Sequence, residues 1–160
     1  MSNKNNFINR KKFNTFAPQE TQKLAGDILA SLIKKTPKDK ALVLAMQGDL
    51  GSGKTTFVQG IAESLGIKKR VNSPTFVIMH KFKIQNSKIE PNNLLFLIHI
   101  DAYRISKPEE ILELGWEKII NNPRNVVVVE WPEKIKKFLP TQTHFLKFKF
   151  INENQREIKA

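Results

Sequence analysis

The sequence predicts an α/β fold in three layers, with helices on both sides of a mixed, partly antiparallel central sheet. Three observations predict it. The apolar run Ala41-Leu42-Val43-Leu44-Ala45-Met46 leads into Gly48-Asp49-Leu50-Gly51-Ser52-Gly53-Lys54-Thr55, which fits G-x-x-x-x-G-K-[ST], and an amphipathic helical pattern follows. A second continuous β-branched run, Val126-Val127-Val128-Val129, marks a strand buried on both faces. Two further strand-like runs, 76–82 and 94–100, have no helical pattern between them and so must pair antiparallel. Together they describe a P-loop NTPase-like architecture.

Taken in order, residues 1–15 are polar and basic, with Arg10-Lys11-Lys12 and no acid before Glu20, and read as a flexible tail ending in a short strand near Phe13 to Phe16. Residues 16–160 read as one domain. Pro18 opens a helix, Leu24, Ile28 and Leu32 give it one apolar face, and Pro37 stops it. The helix from Lys54 buries Phe57, Val58, Ile61, Ala62 and Leu65, and Gly66 caps it. Lys68-Lys69-Arg70 reads as a solvated run. Asn72-Ser73-Pro74-Thr75 is a turn by composition. Ser106 with Glu109 forms a capping-box pattern before an apolar face of Ile111, Leu112, Trp116, Ile119 and Ile120. After the strand at 125–130, Trp131-Pro132 breaks the chain. A short basic helix and two strands, 143–150 and 155–159, complete it.

The 160 residues carry 27 Lys and Arg against 15 Asp and Glu, a formal charge of +12. That field attracts nucleic acid or an acidic protein. The chain shows no RNA-reading module or Arg-rich stripe, so direct nucleic-acid contact is the lesser expectation. With no cysteine there is no disulfide, thiolate metal site or Cys nucleophile. No apolar run approaches the ~18–20 residues of a membrane span. The opening residues lack the apolar core of a secretory signal, which predicts a cytoplasmic protein.

The loop predicts nucleoside triphosphate binding. Its glycines free the backbone N–H groups to turn toward phosphate oxygens, Lys54 reaches the β- and γ-phosphates, and the Thr55 hydroxyl holds Mg²⁺. Asp101 and Glu130 each end an apolar strand, at the carboxyl edge where ligands bind in such sheets. Glu130 follows the more deeply buried strand and is the favoured metal ligand, leaving Asp101 to orient water or share the metal shell. Ser73 and Thr75 can present hydroxyls to the γ-phosphate, and Arg104 can hold a phosphate or pair with an acid. His80 and His99 read as core histidines. The guanine-selecting N-K-x-D pattern is absent, which favours ATP.

Gly48 to Thr56, Ser73-Pro74-Thr75-Phe76, His99-Ile100-Asp101-Ala102-Tyr103-Arg104 and Glu130-Trp131-Pro132, in that order, resemble the TsaE family of bacterial P-loop ATPases. The resemblance runs from about Phe16 to the C-terminus. It implies a cytoplasmic ATPase that acts with the TsaD–TsaB heterodimer in tRNA threonylcarbamoyladenosine synthesis, supporting repeated turnover without itself transferring the threonylcarbamoyl group. It implies ATP and Mg²⁺ as cofactors, with Thr55 and Glu130 on the metal, Asp101 and Lys54 in catalysis and Thr75 in a switch-like loop. Arg156 is placed near the nucleotide by the resemblance alone. Ala102 stands where the family usually has leucine, and the basic tail is extra. The rival readings are a small-molecule or nucleoside kinase with Asp101 as the base, and a nucleotide-gated adaptor that hydrolyses little.

Overall fold

The computed structural model describes residues 11–85, 87–90 and 93–160. In chain order the strands are β1 (Lys12–Thr15), β2 (Leu42–Gln47), β3 (Met79–Lys83), β4 (Phe96–Asp101), β5 (Asn125–Glu130), β6 (His144–Asn152) and β7 (Gln155–Lys159). The helices are α1 (Pro18–Ile33), α2 (Lys54–Ser64), α3 (Glu110–Glu113) and α4 (Trp116–Ile120), with 3-10 segments at Ala102–Arg104 and Pro132–Phe138.

All seven strands form one sheet in the order β1-β7-β6-β2-β5-β4-β3. The central strands β6, β2, β5 and β4 are parallel, while β3 pairs antiparallel to β4, and β7 antiparallel to both β6 and β1. The mixed sheet expected from the short link between β3 and β4 is therefore present. Side chains alternate between two cores. Leu42, Leu44, Met46, Val126, Val128 and Leu97 pack with Phe57, Ile61 and Leu29 of α2 and α1. Val43, Val127, Val129, Ile98 and Ile100 face the other way, onto Ile111, Trp116 and Ile135.

Several expectations shift. The folded chain reaches back into the stretch read as a tail: β1 pairs with β7, Lys12 lies 2.6 Å from Glu157, and the Thr15 and Thr21 hydroxyls share a 2.7 Å hydrogen bond. Residues 1–10 of that tail lie outside the described residues. The strand expected at 76–82 begins only at Met79, because Ile78 takes a left-handed φ of 63° and Phe76 and Val77 turn outward. The helix expected from Ser106 is broken at Gly115 (φ 75°) into α3 and α4, and Leu112 is exposed rather than core. The capping box does not form as read. Glu110 accepts from the N–H groups of Ser106 and Lys107, while Glu109 reaches Lys137. Trp116 is buried as expected, its Nε1–H donating to the Phe138 carbonyl at 2.8 Å.

Candidate nucleotide-binding site

The C-terminal ends of β2, β4 and β5 bring the chemistry to one edge of the sheet. Beyond β2 the chain turns through the glycine loop into α2, whose first residue is Lys54. Two glycines are required by geometry. Gly53 caps α2 in the left-handed region (φ 101°), and a Cβ at Gly48 (φ 150°) would lie 2.6 Å from the Phe148 carbonyl oxygen. The first-turn N–H groups of α2 have no intrahelical partner and face the position an anion takes at a helix start. The Ser52 hydroxyl is buried with no hydrogen-bond partner among the described residues.

A cleft of about 660 Å³ opens over this loop. Leu50, Gly51, Gly53, Lys54, Thr55, Thr56, Thr75, Asp101, Glu130 and Arg156 all line it, so the expected site residues from five separate stretches converge. Gly48, Asp49 and Ser52 stand in the same loop; Leu50 is exposed at its tip. Arg104 does not line this cleft. Its guanidinium lies over the exposed Phe76 ring, 4.7 Å from the centroid. Lys68, Lys69 and Arg70 are exposed, as read.

Lys54 is only 5% exposed, and its ammonium donates to the Gly48 and Asp49 carbonyls at 2.5 and 2.9 Å. Burial lowers its pKa below the ordinary 10.5, while Glu130, Asp101, Asp49 and Glu133 act to raise it. A cation held so close to two acids and the loop carbonyls is poised for a more strongly charged partner.

Asp101 is the most heavily engaged acid. Its Oδ2 accepts from the Thr75 hydroxyl at 2.7 Å and the Ser73 hydroxyl at 2.9 Å, and its Oδ1 from the Tyr103 N–H at 3.0 Å. The loop carrying Ser73 and Thr75 is thereby tied to the end of β4. Glu130 is held differently: its Oε1 lies 2.7 Å from the Nε2 of His99 inside the sheet. The second oxygen, Oε2, has no hydrogen-bond partner among the described residues.

Among the described residues, the two non-glycine residues with positive φ flank these acids. Trp131 (φ 56°) follows Glu130, and the carbonyl of Ile78 (φ 63°) accepts the Asp101 N–H at 2.8 Å. Such conformations cost on the order of 1–3 kcal/mol each and collect at ligand sites. Arg156 closes the far side: its Nε donates to the Gly51 carbonyl at 3.0 Å, and its guanidinium lies 4.5 Å from the Phe150 ring centroid.

Reading the residues alone missed three participants. Arg156 came only from family resemblance, because a lone arginine in a C-terminal hairpin carries no local signal. Trp131 was read as a chain break, yet it lines the cleft, packs on Tyr103 and lies 5.2 Å from the Lys54 ammonium. His99 is core, as read, but it also holds Glu130; its two-residue spacing from Asp101 on one strand face was the available signal.

Among the described residues no cluster of three or more His, Cys, Asp or Glu could hold a metal ion, and no helix is long and apolar enough to cross a membrane. A hydroxyl and one carboxylate on a phosphate-binding cleft is the donor set that Mg²⁺ takes when phosphate and water supply the rest.

Comparison with known proteins shows the family and the fold. The family model for TsaE, the threonylcarbamoyl adenosine biosynthesis protein, matches residues 16–158. The tRNA threonylcarbamoyladenosine biosynthesis protein TsaE of Bacillus subtilis is 37% identical over 147 residues, covering 92% of this chain and 82% of that protein. Its namesake from Rickettsia felis is 36% identical, covering 86% and 72%. The crystal structure of Bacillus subtilis YdiB superposes with a TM-score of 0.70 at 30% identity, covering 97% of this chain and 86% of that one.

Proposed function

The chain belongs to the TsaE family of threonylcarbamoyl adenosine biosynthesis proteins, and on that premise we propose that it is a Mg²⁺-dependent ATPase. It works with the TsaD–TsaB heterodimer in modifying tRNA, sustaining repeated turnover without performing the transfer. The observation that carries this reading is the convergence of Lys54, Thr55, Thr75, Asp101 and Glu130 on one cleft over a glycine loop.

The chain's own groups divide the work. The N–H groups at the start of α2 and the loop backbone bind the phosphates. The Lys54 ammonium exchanges its two loop carbonyls for β- and γ-phosphate oxygens and stabilises charge that grows during phosphoryl transfer. Thr55 and Glu130 would hold Mg²⁺, which would supply positive charge against the phosphates. Asp101 accepts hydrogen bonds, so it orients either the Thr75 hydroxyl or an attacking water at the γ-phosphate. Arg156, anchored on Gly51, ties the loop to the β6–β7 hairpin and borders the nucleotide.

The test is phosphate release from ATP by the purified protein, alone and with the TsaD–TsaB heterodimer, beside Lys54→Ala. Slow release that the heterodimer alters and the substitution abolishes is the expected result. Release indifferent to the heterodimer would overturn the partner assignment and return the kinase reading, with Asp101 as the base for an acceptor hydroxyl.

A further inference from the structure

His99 stands two residues before Asp101 on β4, in register with Val128 of β5, and Glu130 lies two residues beyond Val128. By strand alternation His99, Asp101 and Glu130 share the sheet face covered by α2. The imidazole is fully buried, and its Nε2 lies 2.7 Å from Glu130 Oε1. A carboxylate that holds a metal only accepts, and in that state Nε2 is the nitrogen that donates to it. The other ring nitrogen, Nδ1, is buried with no partner among the described residues.

As a purely structural device this pair is a poor choice. Apolar residues of the same shape commonly stabilise a core as well as a buried polar pair does, and here the imidazole also leaves Nδ1 without a partner among the described residues. What the contact does achieve is directional. It removes rotamer freedom from a glutamate at the rim of the cleft and leaves Oε2 as that side chain's open acceptor.

From this geometry we infer that His99 is a positioning residue for metal binding: it pins Glu130 Oε1 so that Oε2 is presented to Mg²⁺ in the nucleotide cleft. The inference rests on the proposed metal role of Glu130 and deepens it. Partners that orient a metal-binding carboxylate from outside the coordination shell set its affinity, and their loss weakens metal binding by about 10- to 100-fold. The same loss leaves the phosphate loop, and thus metal-free nucleotide binding, in place.

The test reads binding rather than turnover. Mn²⁺ is titrated into the full-length protein with ADP, free Mn²⁺ being followed by electron paramagnetic resonance, and ADP affinity is measured separately without metal. His99→Leu should weaken Mn²⁺ binding on the order of 10-fold while metal-free ADP binding holds. His99→Gln, whose amide N–H can replace that of Nε2, should recover most of the loss. Parent-like Mn²⁺ affinity in His99→Leu would overturn the inference, as would equal loss of Mn²⁺ and ADP binding in both His99 variants, the mark of a folding role. Glu130→Gln separates the two levels. Should it keep parent Mn²⁺ affinity, the metal reading of Glu130 falls and the inference with it; should it lose the metal while His99→Leu does not, only the role of His99 falls.

Discussion

Asp101 and Glu130 are register partners on adjacent parallel strands, yet their carboxylates are held by different neighbours. Asp101 is gripped from the loop side by Ser73 and Thr75, and Glu130 from inside the sheet by His99. One acid is thus coupled to the loop that precedes β3, the other to a fully buried side chain of β4. That asymmetry fits a division between a group that responds to the γ-phosphate and a group that holds a metal.

Replacing Lys54 with alanine removes the buried ammonium between Glu130, Asp101 and the loop carbonyls. ATP turnover should fall by at least about 100-fold, the range for losing one preorganised charge donor at a transition state. Phosphate release, with circular dichroism to verify the fold, measures it. Near-normal release would refute the site.

Thr75→Val and Asp101→Asn attack one hydrogen bond, 2.7 Å long, from its two ends. Asp101→Asn should lower the single-turnover hydrolysis rate by roughly 100-fold or more, in the range for a positioned acid–base group. If the two act as a unit, the double variant should be no slower than Asp101→Asn alone. Independent, multiplying losses would argue that Thr75 acts elsewhere.

At Gly60 the helices α1 and α2 cross so closely that a Cβ would strike the Gln22 backbone. Gly60→Ala should destabilise the protein by about 1–3 kcal/mol, overpacking exceeding the gain in helix propensity. Gly26→Ala is the control. There the added Cβ meets the Ser64 hydroxyl, a side-chain end that can swing away, so thermal melting should show a much smaller loss.

His144 supplies a pH signature. Burial first, and Lys35 second, lower its pKa from the ordinary 6.5. Above pH 6.5 the residue is neutral in folded and unfolded chains and costs nothing. As pH falls from 6.5 through the lowered folded value, the unfolded chain takes up the proton more readily, and stability is lost. His144→Gln should flatten the melting temperature against pH in that window. An unchanged slope would place the acid sensitivity elsewhere.

The phosphate loop, the mixed sheet and the pair of strand-end acids were legible from the residues alone, because each is written in local spacing: glycines before a lysine, unbroken apolar runs, an acid where such a run ends. It also marked β7, whose bounds at Gln155 and Lys159 match the structure. Tertiary structure decided the rest. The helix after Ser106 breaks at Gly115, which takes a left-handed conformation, and the Phe76–Val77 strand is lost to the positive φ of Ile78, whose carbonyl is held by the Asp101 N–H at the end of β4. Lys12–Thr15 becomes a strand only because β7 offers it an edge some 140 residues along the chain. Arg156 meets Gly51, and His99 meets Glu130, across strands distant in sequence. Local periodicity reports which face a residue takes; which partner waits on that face is settled by strand order, and strand order is a property of the closed sheet.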